Sequence, residues 1–145
     1  NGAKVPFFVV ARKGWAFDGS NKVLIGGYGG FNVSLTPDYQ AARIAWLEMG
    51  GIWAEANLRG GGEYGKAWHD GGRLLHKQNV FDDFVAAGEY LASSGWSRPG
   101  RIAINGGSNG GLAFDRMGVA LAQYDTSVSG TLTFDVDELN VRSLL

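Results

Sequence analysis

Cysteine is absent from these 145 residues, and only two histidines, His69 and His76, are present. The first absence excludes a disulfide scaffold, a thiol nucleophile and any cysteine-ligated zinc or iron–sulfur site. The second leaves little material for a metal centre, and neither a metal nor a cofactor is expected. Positive charge is not in excess, because 13 Lys+Arg face 14 Asp+Glu for a formal net charge of −1, and there is no basic run. No electrostatic pull toward nucleic acid follows. Long apolar runs are missing too; none approaches the ~20 residues of a membrane span, so no membrane partner is expected.

What is present is the material of a folded domain: 45% hydrophobic residues against 19% charged ones, in a length sufficient to bury a core. The outlier is glycine. Twenty-four of the 145 residues are glycine, more than twice the usual share of roughly 7%. They cluster, and neither a collagen period nor a Gly/Ser linker describes them.

Along the chain, Val5–Val10 and Lys22–Ile25 are rich in β-branched and aromatic residues and read as strands. The second runs into Gly26-Gly27-Tyr28-Gly29-Gly30-Phe31, a turn whose backbone can come close to a ligand. Thr36-Pro37 predicts a helix start, with Gly50-Gly51 as its stop. Ile52–Leu58 is a third strand, followed by an irregular stretch to about Gln78. Asn79 is expected to cap the next helix, with Asp82 and Asp83 in its first turn and Phe81, Phe84, Val85, Gly88 and Leu91 as its apolar face. Arg101–Asn105 is a fourth strand. Strands alternating with helices predict an α/β fold with a mostly parallel sheet.

One motif carries chemistry. Gly106-Gly107-Ser108-Asn109-Gly110 matches G-x-S-x-G with an apolar strand before it and a helix predicted after it. A serine on so tight a turn leaves no room for side chains two positions away on either side. Its place at a helix start sets N–H groups and the positive dipole end near developing negative charge. The plainer alternative is a glycine-rich turn with an incidental serine. A phosphate loop fits poorly, since the turn holds no lysine for a Walker pattern and Gly26–Gly30 carries a tyrosine where a pyrophosphate would lie.

Three blocks occur in order: Gly27-Tyr28-Gly29-Gly30-Phe31-Asn32-Val33-Ser34, Asn57-Leu58-Arg59-Gly60-Gly61-Gly62-Glu63-Tyr64-Gly65 and Asn105–Gly111. Together they make residues from about 2 to 112 resemble the catalytic domain of the prolyl oligopeptidase family of serine peptidases. Gly29-Gly30-Phe31 and the Asn109 after the serine resemble its prolyl-specific branch. The resemblance implies a partial α/β-hydrolase fold, with Ser108 as the nucleophile that forms an acyl-enzyme on a peptide bond after proline. It further implies that the Asn109 backbone N–H and the Tyr28 hydroxyl form the oxyanion hole, and that Phe31 lines the pocket for the proline ring. The partners so implied are short proline-containing peptides, with an N-terminal propeller domain preceding the catalytic domain in a full-length parent.

The remaining polar residues read as structural. Arg59 and Glu63 are expected to form an ion pair that fixes the glycine loop, and Asp82 and Asp83 to serve the helix start. His69 and His76 precede Ser108, whereas α/β-hydrolases run Ser, then Asp or Glu, then His. Neither is expected to be the general base, and no histidine follows Ser108. Asn32-Val33-Ser34 matches a glycosylation sequon and is read as incidental. After Leu112 the resemblance fades. Residues 113–145 are read as a divergent tail in which Val128, Leu132, Phe134 and Val136 share one strand parity. None of its acids, Asp115, Asp125, Asp135, Asp137 and Glu138, matches the family's triad aspartate. The expectation is therefore a fragment, inactive alone, that lacks the triad Asp and His. Two alternatives stay open: another α/β-hydrolase, such as an esterase or aminopeptidase, and an inactive hydrolase-like domain kept for binding.

Overall fold

The computed structural model describes residues 2–111. The predicted tail strand, the five tail acids and the helix body after Leu112 lie outside the described residues. Within them the order is β1 (Phe7–Val10), β2 (Val23–Gly27), α1 (Ala41–Glu48), β3 (Ile52–Ala56), α2 (Lys66–Asp70), α3 (Gln78–Ser93) and β4 (Ile102–Asn105). Short 3₁₀ turns at Leu74–His76 and Pro99–Arg101 precede α3 and β4.

The strands form one sheet in the order β1-β3-β2-β4, with β1 antiparallel to β3 and the other pairs parallel. Ile25 sits at the middle, level with Ala54 on one side and Ile104 on the other. Such strands are covered on both faces, which is why β2 and β3 read as apolar runs. Alternation along β3 divides the two faces. Ile52, Ala54 and Ala56 join Val80, Phe84, Ala87 and Leu91 of α3 in the core, while Trp53 and Glu55 point the other way, toward Arg43 of α1. Phe84 and Leu91 are fully buried, worth about 1.5–3 kcal/mol each in removal from water. Phe81 and Val85 pack at the margin of that core, so the apolar face of α3 is turned slightly from its predicted centre.

Three sequence expectations give way to tertiary hydrogen bonds. Helix α1 starts at Ala41 rather than Pro37, because Gln40 is extended (φ −136°, ψ 126°) and residues 35–38 are engaged elsewhere. The Leu35 carbonyl accepts from Asn57 Nδ2 at 3.0 Å, and Asp38 takes Arg43 Nη1 on both its carboxylate, at 2.6 Å, and its carbonyl, at 3.1 Å. The stretch to Gln78 is not wholly irregular, for α2 is pinned by Trp68 Nε1 donating to the Leu58 carbonyl at 3.0 Å. Asn79 does not cap α3. Its amide donates instead to the Gly71 carbonyl at 2.8 Å, and Lys77 holds the N-cap position.

Candidate active site

The sharp turn after β4 places Ser108 at the C-terminal edge of the sheet, where β2 also delivers Tyr28. Ser108 adopts φ +52° and is exposed. A non-glycine residue there carries strain that the surrounding structure must hold in place. The glycines two positions away explain how. A Cβ on Gly106 would sit 2.7 Å from the Gly110 carbonyl oxygen, and one on Gly110 would sit 2.5 Å from the Gly27 oxygen. Residues 109–111 then begin a helix, with Gly110 N–H bonded to the Gly107 carbonyl and Gly111 N–H to that of Ser108. The serine is thus presented above the sheet edge, beside the first N–H groups of a helix.

Asn109 is buried, and its side chain faces back toward the loop after β2. Its Nδ2 donates to the Tyr28 carbonyl. Its Oδ1 accepts from Lys77 Nζ at 2.5 Å, and the same ammonium reaches the Gly29 carbonyl at 3.1 Å. Gly30 must lack a side chain, because a Cβ would lie 2.6 Å from Asn109 Nδ2. Burial pushes the Lys77 ammonium below its ordinary pKa. The Tyr28 and Phe31 rings lie 6.5 Å apart at 38°. Phe31 is 77% exposed at φ +52°, so it is not part of the core. A cavity of about 410 Å³ opens beside the elbow, lined by Tyr28, Val33, Leu35, Trp53 and the turn at Gly106-Gly107; Ser108 and Phe31 stand outside its lining.

The structure therefore brings Tyr28, Phe31, Ser108 and Asn109 to one edge. The histidines are placed elsewhere. His69 Nδ1 lies 2.7 Å from the Gly60 carbonyl, which can only accept, so that nitrogen carries the hydrogen. His76 ends an exposed 3₁₀ turn. Among the described residues no histidine or carboxylate hydrogen-bonds the Ser108 hydroxyl, and no group of three His, Asp or Glu could hold a metal.

The expected Arg59–Glu63 pair is not formed. Arg59 reaches across to Asp83 of α3, Nη2 at 2.5 Å from Oδ1 and Nε at 2.8 Å from Oδ2. Asp83 is thus a buried ion-pair partner and not a helix-start residue. Glu63 instead accepts from the Leu35 N–H at 2.9 Å and Asn57 Nδ2 at 3.2 Å. Sequence reasoning missed Lys77 and the Asn109 side chain altogether. The one usable hint was Gly30, a glycine with no turn type to demand it.

A serine lifted on a strand-to-helix turn at the edge of a mostly parallel sheet is the arrangement of the α/β-hydrolase class. Comparison with known proteins narrows it. The model of the prolyl oligopeptidase family matches residues 37–131. The prolyl endopeptidase of Elizabethkingia meningoseptica is 49% identical over 112 residues, which are 77% of this chain and 16% of that one. A chain solved in a structural and mechanistic study of two prolyl endopeptidases shares 59% identity and a TM-score of 0.75, again over 77% of this chain and 16% of that one. Prolyl oligopeptidase B from Galerina marginata, solved bound to a 25mer macrocyclization substrate, shares 45% identity and a TM-score of 0.74 over the same fractions. The chain belongs to the prolyl oligopeptidase family. It spans about a sixth of the length of these relatives.

Proposed function

We propose that the protein to which these residues belong is a serine peptidase that cleaves short peptides on the carboxyl side of proline, and that this segment supplies the nucleophile and oxyanion half of its site. The observation that carries the reading is Ser108 at φ +52° and exposed on the elbow. Ser108 Oγ attacks the carbonyl carbon as a histidine takes its proton. The tetrahedral oxyanion is met by two hydrogen-bond donors, the Asn109 N–H and the Tyr28 hydroxyl. Collapse expels the amine and leaves an ester on Ser108, which water then hydrolyses. Phe31, exposed beside Tyr28, offers a flat apolar face to the proline ring.

The acid and the histidine are assigned to the part of the protein that the relatives have and these 145 residues do not span, since no histidine follows Ser108. A propeller domain that restricts substrates to short peptides belongs to the same assignment. The test is to incubate the complete protein with a blocked peptide holding one internal proline and to locate the cut by mass spectrometry. Cleavage after proline, absent from the peptide with alanine in its place, is expected. Preference for ester or free aminoacyl substrates would make it another α/β-hydrolase, and no turnover of any of them would favour a binding domain.

A further inference from the structure

We propose that Lys77 is a positioning residue for the oxyanion hole, holding the Asn109 side chain and the Tyr28–Gly29 backbone in one hydrogen-bonded knot. The inference rests on the functional reading above and adds a group that neither the motif nor the resemblance marked. The two oxyanion donors come from different strands: Tyr28 follows β2, and Asn109 follows β4. The parallel pairing of β2 and β4 holds the two strands together as far as Gly26 and Asn105, and beyond that register the spacing of the donors depends on what bridges the two loops.

Three contacts do so. Asn109 Nδ2 donates to the Tyr28 carbonyl, Lys77 Nζ donates to Asn109 Oδ1 at 2.5 Å, and Lys77 Nζ donates to the Gly29 carbonyl at 3.1 Å. The knot is closed sterically by Gly30, whose missing side chain admits the Asn109 amide. Lys77 thereby orients the amide. With an ammonium on Oδ1, the Nδ2 end must face Tyr28, because Lys has only donors and a carbonyl only accepts. Among the described residues Lys77 has no carboxylate partner; its other neighbour is the Phe81 ring, 6.0 Å from Nζ to the centroid. A half-buried ammonium bonded only to carbonyl oxygens is held at a cost in solvation, and its position next to the nucleophile's neighbour gives that cost a use. It leaves a positive charge behind the residue whose N–H faces the oxyanion.

The experiment compares the complete wild-type protein with Lys77→Met, Lys77→Gln and Lys77→Arg, each checked for folding by circular dichroism and melting. The readouts are kcat and KM on a blocked prolyl nitroanilide, and the inhibition constant of a peptide aldehyde ending in prolinal, whose hemiacetal places an oxygen in the oxyanion hole. Lys77→Met is expected to lower kcat ~10–100-fold, the range for a donor displaced by a fraction of an ångström. KM should stay within about threefold, and aldehyde affinity should fall in parallel with kcat/KM. Lys77→Arg should restore part of the loss and Lys77→Gln less. In a double-mutant cycle, Lys77→Met and Asn109→Ala should be non-additive.

Unchanged kcat and aldehyde binding in a folded Lys77→Met protein would overturn the proposal. So would a loss confined to KM or strict additivity with Asn109→Ala. If the wild type rejects prolyl substrates but hydrolyses an ester, the functional reading fails while the Lys77 comparison proceeds on that ester. If it turns over nothing, deuterium uptake decides: faster exchange of the peptide spanning residues 28–31 in Lys77→Met supports the knot, and unchanged exchange overturns it.

Discussion

Arg59 and Asp83 are joined by four hydrogen bonds: Nη2 to Oδ1 at 2.5 Å, Nε to Oδ2 at 2.8 Å and to Oδ1 at 3.1 Å, and the Arg59 backbone N–H to Oδ2 at 3.0 Å. Their side chains keep only 12% and 3% exposure. Hydrogen bonding to Asp83 raises the arginine above its ordinary pKa, so the guanidinium keeps its charge in the pair. The pair ties the glycine loop after β3 to α3, and that loop in turn supports the Phe31 turn, since the Asn32 N–H bonds to the Gly60 carbonyl at 3.2 Å.

Removing one member leaves the other buried and uncompensated. In the complete protein Arg59→Met or Asp83→Asn should cost about 3–5 kcal/mol, read as a lower urea midpoint for the catalytic domain, and Arg59→Met with Asp83→Leu should recover part of it. Glu63→Gln keeps an acceptor for Leu35 and Asn57 and should cost less than about 1 kcal/mol. Equal losses for Glu63→Gln and Asp83→Asn would contradict the pairing.

The elbow separates glycines that are needed from one that is not. Gly110→Ala would drive a Cβ to 2.5 Å from the Gly27 carbonyl oxygen, whereas Gly107 has nothing within 4 Å of that position. Gly110→Ala should therefore lower kcat/KM by ~10²-fold or more through displacement of Ser108. Gly107→Ala should leave it within about threefold, because no neighbour has to move. Comparable losses from both substitutions would show that the turn is not held as described.

Phe31 is 77% exposed, so its truncation removes little buried area. Phe31→Ala should shift stability by no more than about 0.5 kcal/mol. On a prolyl substrate KM should rise ~10-fold, in line with the loss of an apolar wall worth 1–3 kcal/mol, with a smaller effect on kcat. A variant with unchanged KM would remove Phe31 from the proline pocket.

How much of this was legible in the sequence follows the range of the interactions. The strands were readable because they are β-branched and aromatic runs, mostly buried in β2 and β3 and alternating in β1. The elbow was readable because Gly106 answers a steric demand within the turn itself, although Gly110 answers one set by the distant Gly27 carbonyl. Local signals failed where distant partners took over. Thr36-Pro37 is a sound helix start on its own, yet Asp38 and Leu35 find better partners in Arg43 and Asn57. Asp83 looks like a helix-start acid until a charge 24 residues away reaches it. Lys77 carried no signal at all, because its role depends on Asn109, which is 32 residues away, and on Gly29, which is 48 away.

The central claim is that Ser108 is the nucleophile of a post-proline peptidase, and the most direct measurement is turnover of a blocked Gly-Pro nitroanilide by the complete protein and by its Ser108→Ala variant. The expected result is steady release of nitroaniline by the wild type and a loss of at least ~10⁴-fold in kcat for the variant, with its melting temperature unchanged. A folded Ser108→Ala protein that turns the substrate over at a rate close to wild type would contradict the claim.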